Sequence, residues 1–143
     1  MAPAGNKRAF ITAVNCGADA VYVGLKRFSA RGNADNFSQE ELAYCVNYAK
    51  LFGVKVYAAV NTLVKNTETE DFFDEIERSG KIGVDAFIVQ DMLLGKVLKE
   101  KFPDIVLHLS TQAGVCNVYG AKFERIRLFS RDFSARNEVR GYS

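Results

Sequence analysis

Asp91, His108 and Ser110 are side chains whose types and spacing would allow nucleophilic chemistry. His108 is the only histidine. On a strand ending near Leu109, alternation puts His108, Ser110 and Gln112 on one face, while Asp91 ends the neighbouring strand. An acid, a base and a nucleophile are thus within geometric reach of one another. The simpler role is the stronger one. Adjacent same-face side chains on a strand rarely hold the directed hydrogen bond a serine nucleophile needs, so His108 is expected to be a structural hydrogen-bonder. One histidine among scattered carboxylates does not supply three or four ligands, and no metal site is expected. Cys16, Cys45 and Cys116 are far apart, form no CxxC pair and read as reduced, mostly packed thiols.

A second set of residues could bind rather than react. The apolar runs give way to polar groups at Gly24-Leu25-Lys26, Asn61-Thr62, Gln90-Asp91, Ser110-Thr111-Gln112 and Ser130-Arg131-Asp132. Five such switches at the same end of successive strands predict a shared polar pocket. Between Phe28 and Phe37 lies a polar loop longer than the usual two to six residues, in which Arg31 could clamp a carboxylate or phosphate and Asn33 and Asn36 could orient it. No P-loop or GxGxxG is present.

The elements that must position these residues are marked by an internal repeat. Gly17-Ala18-Asp19-Ala20-Val21-Tyr22-Val23-Gly24 is echoed by Gly83-Val84-Asp85-Ala86-Phe87-Ile88-Val89-Gln90, with a looser copy from Gly53 to Val60. Each copy opens with a glycine suited to closing a helix and continues as a strand buried on both faces. The spacing is that of one βα unit, and repeated βα units make a parallel sheet. Between the strands, Ser38 to Glu41 forms a capping box that opens a helix to about Phe52, with Leu42, Cys45, Val46, Ala49 and Phe52 as its buried stripe. A second box, Thr67 to Glu70, is expected to open a helix that buries Phe72, Phe73 and Ile76 and frays at Gly80. A third, from about Met92, should bury Leu93, Val97 and Leu98 and end before Pro103. Ile105 to Leu109 then reads as a strand, Asn117 to Glu124 as a helix and Ile126 to Phe129 as a strand. Met1 to Gly5 is read as leading into a helix with no strand before it. About five strands result where a closed barrel has eight. The expected fold is therefore α/β: an incomplete parallel (β/α) barrel, TIM-barrel-like, forming one partial domain over residues 1–143 that is a fragment of a longer protein.

With 143 residues, 48% hydrophobic and 25% charged, the chain can bury a core. A net charge of +2 is too small to imply nucleic-acid binding by itself, and the excess of arginine and lysine from Lys122 onward is read as a solvated surface. No run approaches the length of a membrane span and the first residues lack an apolar signal region, so a cytoplasmic location without membrane contact is expected.

Ala2-Pro3-Ala4-Gly5-Asn6, the segment Gly17 to Gly24, Arg27-Phe28-Ser29-Ala30-Arg31, Asn36-Phe37, Val60-Asn61-Thr62, Val89-Gln90-Asp91 and Leu109-Ser110-Thr111-Gln112 occur in the order found in collagenase-like peptidase family U32, and nearly the whole chain resembles the N-terminal half of its members. The resemblance implies a barrel-type domain and one of two activities. The first is peptide hydrolysis; the alternative is an iron-sulfur-dependent hydroxylation of tRNA or rRNA bases or of a quinone precursor, with a non-catalytic binding module as a third reading. It carries Arg31, Asn61, Asp91, Ser110, Gln112 and Arg131 over as pocket residues, with peptide or RNA as the partner. In hydroxylating members the cluster is held by a later cysteine-rich signature. Cys16, Cys45 and Cys116 lie outside it, so no cofactor is expected within this chain and the cluster belongs to a full-length relative. The family's first strand is expected to be missing before Ala2, and open strand edges predict oligomerisation or a missing downstream domain.

Overall fold

In the computed structural model, which describes residues 1–30 and 35–120, strands and helices alternate. The order is β1 (Ala2–Ala4), α1 (Lys7–Asn15), β2 (Ala20–Gly24), α2 (Gln39–Leu51), β3 (Lys55–Val60), α3 (Thr69–Ile82), β4 (Ala86–Val89), α4 (Met92–Lys101) and β5 (Leu107–Leu109). The five strands form one sheet in chain order, every neighbouring pair parallel. Among the described residues the sheet does not close, which is an incomplete (β/α) barrel.

The glycine-led segments hold the places the repeat assigns them. Gly17, Gly53 and Gly83 all take positive φ, at 82°, 66° and 100°, where a Cβ would be strained, and each leads from a helix into β2, β3 or β4.

The first strand is a correction. Residues 2–4 are β1, paired through Ala2↔Val21, Pro3↔Tyr22 and Ala4↔Val23. Three residues with a proline and no β-branched side chain carry no strand signal of their own. The strand exists because β2 offers it a partner, and proline is tolerated where a strand has one neighbour.

Helix starts follow local chemistry. Ser38 caps α2 in a complete capping box: its Oγ accepts from Glu41 N, and the Glu41 carboxylate accepts from Ser38 N at 2.9 Å. These bonds from Ser38, backbone first and hydroxyl second, hold the Glu41 carboxyl below the usual range. Asn6 and Asp91 cap α1 and α4 in the same way. The Thr67 box does not form; Glu68 instead accepts from Lys65 N across a single 3-10 turn that leads into α3. α3 also runs past Gly80 to Ile82, because an interior glycine only weakens a helix while the left-handed Gly83 ends it.

The helix stripes are narrower than the sequence suggests. Leu42, Cys45, Val46 and Ala49 are buried, but Phe52 is 55% exposed as the last turn of α2 leaves the sheet. Phe73 is half-buried. On α4 the sheet-facing positions are Leu94, Gly95 and Leu98, which leaves Leu93 at 79% and Val97 at 43% exposure on the next stripe round. The strand expected from Ile105 is shortened to Leu107–Leu109. Residues 118–120 are helical; the rest of the expected helix to Glu124 and the strand Ile126 to Phe129 lie outside the described residues.

Strand register divides the side chains between two faces. Ala4, Val21, Val23, Val56, Ala58, Val60, Phe87, Val89 and Leu107 join Phe10, Leu42, Val46, Phe72, Ile76 and Leu98 of the helices in one core. The other face carries Pro3, Tyr22, Tyr57, Ile88 and His108 in two rows, Pro3↔Tyr22↔Tyr57 and, one step further along the strands, Ile88↔His108. That face is the inside of a barrel, and its upper rim is where the candidate site lies.

Candidate functional site

Parallel strands bring their carboxyl ends to one rim, so Gly24, Asn61, Gln90 and Ser110 meet there although they are far apart in sequence. Asn61 is the hub. Its Oδ1 accepts from Ala30 N at 3.2 Å, and its Nδ2 donates to Gln112 Oε1 at 3.1 Å and to Ser110 Oγ at 3.4 Å. Ser110 Oγ also accepts from Gln112 N at 3.2 Å, within the tight turn Thr111–Ala113 that starts after it. Gln90 completes the rim by donating from Nε2 to the Gln112 carbonyl at 3.4 Å. One amide side chain therefore ties the loop after β2 to the end of β5.

Beneath this rim lies an aromatic floor. Tyr57 and His108 stack with ring centroids 5.0 Å apart and planes 26° from parallel. His108 is 9% and Ser110 6% exposed, so both belong to the barrel lining. Alternation places Ser110 directly above His108 and Asn61 two steps above Tyr57.

The loop after β2 is held onto the rim at several points. Phe37 N donates to Gly24 O and Lys26 N to Phe37 O, which closes the loop at its base. Arg27 pairs with Asp71 at 2.7 Å, and this hydrogen bond raises the guanidinium pKa further. Phe28 packs edge-on against Phe72 at 5.2 Å while holding φ at +65°, and Asn36 holds +33°. For a bulky phenylalanine that backbone is strained, and the surrounding contacts must sustain it. A Cβ on Gly24 would lie 2.5 Å from Asn36 Oδ1 and 2.6 Å from Ser29 Oγ. Only glycine leaves room for the loop to press into the sheet here.

The structure thus gathers Asn61, Ser110 and Gln112 into one network. Asp91 is elsewhere engaged: its Oδ1 accepts from Leu94 N as the cap of α4. Ser110 bonds to Asn61 and Gln112 through its Oγ and Asp91 bonds to Leu94, each a positioning contact. Arg31 and Arg131 lie outside the described residues. Sequence reasoning missed the Tyr57–His108 stack and the Gly24 wedge. Tyr22 and Tyr57 lie five and four residues after their repeat glycines, so the sequence repeat does not align them; the register Tyr22↔Tyr57 does. A cavity of about 360 Å³ opens at the opposite end of the sheet, between Ile76, Val84, Phe87 and Phe102. In parallel barrels that end serves stability, so the polar rim is the candidate site.

The described residues do not fit a metal cluster. Among the described residues no three His, Cys, Asp or Glu side chains are grouped to hold an ion. Cys45 is buried in α2, and burial pushes its thiol up to about 11, the reverse of what a thiolate ligand needs. Cys16 and Cys116 are exposed, at the end of α1 and after the last tight turn.

A parallel sheet with helices packed on one face and a polar rim at its strand ends defines an incomplete (β/α) barrel. Solved structures share it: a U32 peptidase superposes with a TM-score of 0.66 at 20% identity, covering 89% of this chain and 54% of that one. A type I 3-dehydroquinate dehydratase of Clostridium difficile superposes at 0.54 with 16% identity, over 72% of this chain and 42% of that one. The family model described as Peptidase family U32 matches residues 5–138, and the chain belongs to that family. It is 37% identical over 123 residues to a tRNA hydroxylation protein of Bacillus subtilis, covering 86% of this chain and 29% of that protein. It is 39% identical over 123 residues to a 23S rRNA 5-hydroxycytidine synthase of Escherichia coli, covering 86% and 18%. A collagenase of Porphyromonas gingivalis is 30% identical over 132 residues, covering 92% and 30%. The chain thus spans less than a third of the length of these curated relatives.

Proposed function

We propose that this chain supplies the substrate-holding rim of a U32 protein that hydroxylates RNA bases. The observation that carries this reading is the chemistry of the rim. Ser110 Oγ accepts from Asn61 Nδ2 and from Gln112 N, and Asp91 caps a helix, which ties both side chains to positioning the rim and the start of α4. What the rim does offer is neutral amides, the groups proteins use to hydrogen-bond the edges of unstacked bases. The names of the Bacillus and Escherichia relatives support the same substrate class. The redox chemistry of hydroxylation needs a centre that the described residues do not provide, and their part is to bind and orient. An RNA substrate would suit a cytoplasmic protein; separately, no described helix is long and apolar enough to cross a membrane.

The test uses cells deleted for their tRNA hydroxylation relative. Expressing the gene that encodes this chain should restore hydroxylated nucleosides, read by mass spectrometry of total tRNA and rRNA. Unchanged nucleosides, together with gelatin cleavage by the purified protein that Ser110→Ala abolishes, would establish the peptidase reading instead.

A further inference from the structure

The hydrogen bonds at the rim decide which way its amides point. Because Asn61 Oδ1 takes the Ala30 N–H, its Nδ2 is the atom that faces Ser110 and Gln112. Nδ2 is a donor, so Gln112 must meet it with Oε1, and the Gln112 Nε2 is turned outward. Gln90 spends a donor on the Gln112 carbonyl, which fixes its amide at the rim and leaves Oε1 as its acceptor. Among the described residues, neither Gln112 Nε2 nor Gln90 Oε1 makes another hydrogen bond. Gln112 is exposed and Gln90 half-buried, so a ligand can reach both.

We propose that Gln112 and Gln90 form a two-point reader, one donor beside one acceptor, for the cis-amide edge of a flat ring, with Asn61 as the positioning residue that sets its polarity. A ring lactam shows its C=O and its N–H on the same side, and the reader engages both at once. A trans peptide shows them on opposite sides and meets only one of the two. The reader therefore favours a base with a lactam edge over a polypeptide. The inference rests on the RNA reading for its ligand and adds the residues that select it.

The experiment is an NMR titration of the ¹⁵N-labelled protein that follows the side-chain NH₂ signals of Gln90 and Gln112. The probes are uridine, 3-methyluridine, which lacks the lactam N–H, and N-acetylglycine methylamide, which has only trans amides. Uridine should saturate the Gln112 shift at a concentration about tenfold lower than either other probe, the scale of one bidentate edge contact. Gln112→Glu, on an exposed side chain, replaces the outward donor by an acceptor and should erase that preference. Asn61→Asp, which loses the donor that orients Gln112, should weaken it. Equal saturation by uridine and 3-methyluridine overturns the reader and leaves the RNA reading standing. Tighter binding of the peptide probe overturns both. A Gln112 signal that none of the three moves also overturns the reader.

Discussion

Gly24 is the residue on which the geometry of the rim most depends. Its neighbours Asn36 and Ser29 occupy the space a methyl group would need, and Asn36 sits on a positive-φ backbone that limits retreat. Gly24→Ala should lower stability by about 1–3 kcal/mol, the range for forcing a carbon into a packed site. Urea unfolding would measure it, and limited proteolysis should show new cleavage between Arg27 and Asn36. An alanine variant as stable and as resistant as the parent would mean the loop has somewhere else to go. Asn61, by contrast, was readable as a polar strand end but not as a hub. Its three partners come from the loop after β2 and from the end of β5, and no local pattern announces a contact across that separation.

At the scale of elements, the sequence is most informative where structure is local. The Ser38 box and the glycine stops at Gly17, Gly53 and Gly83 act within a few residues, and each appears where its spacing places it, whereas Asp91, read as a pocket residue, proves to be the cap of α4. Removing the cap with Ser38→Ala should cost about 1 kcal/mol. The Glu41 half of the box also depends on pH. Its folded carboxyl titrates below the ordinary value, so its contribution is complete above the unfolded pKa and disappears as pH falls through the lowered folded one. The stability gap between the parent and Glu41→Ala should therefore be constant near neutrality and narrow below about pH 4. A gap unchanged at acid pH would show that the carboxylate contributes nothing as an ion. Elements fixed by partners were harder to read. β1 is a strand because β2 holds it, and Leu93 and Val97 face outward because Leu94, Gly95 and Leu98 already fill the space over the sheet.

For the whole molecule, the decisive property is the separation of the two sheet faces. One face is a hydrocarbon core under four helices; the other carries Tyr22, Tyr57 and His108 below the polar rim. The parallel α/β class was legible because the repeat and the buried runs set strand direction, whereas which face each strand residue takes emerges only from register. Phe87 tests the core side. It is 1% exposed at the centre of β4, and Phe87→Ala should lower the unfolding free energy by about 3–5 kcal/mol. A loss below 1 kcal/mol would mean that the helices collapse into the space or that β4 is less enclosed than its burial indicates. Because Phe87 points away from the rim, whatever remains folded should keep its nucleoside titration unchanged.

The order of the strands has a consequence for how the protein is made. From β2 onward each strand lies beside the one translated just before it, so it leaves the ribosome next to a partner already made, while β1 waits only for β2. Growth of the sheet can keep pace with translation, one unit at a time, and a stalled ribosome would hold a shorter sheet instead of a tangle awaiting its missing half.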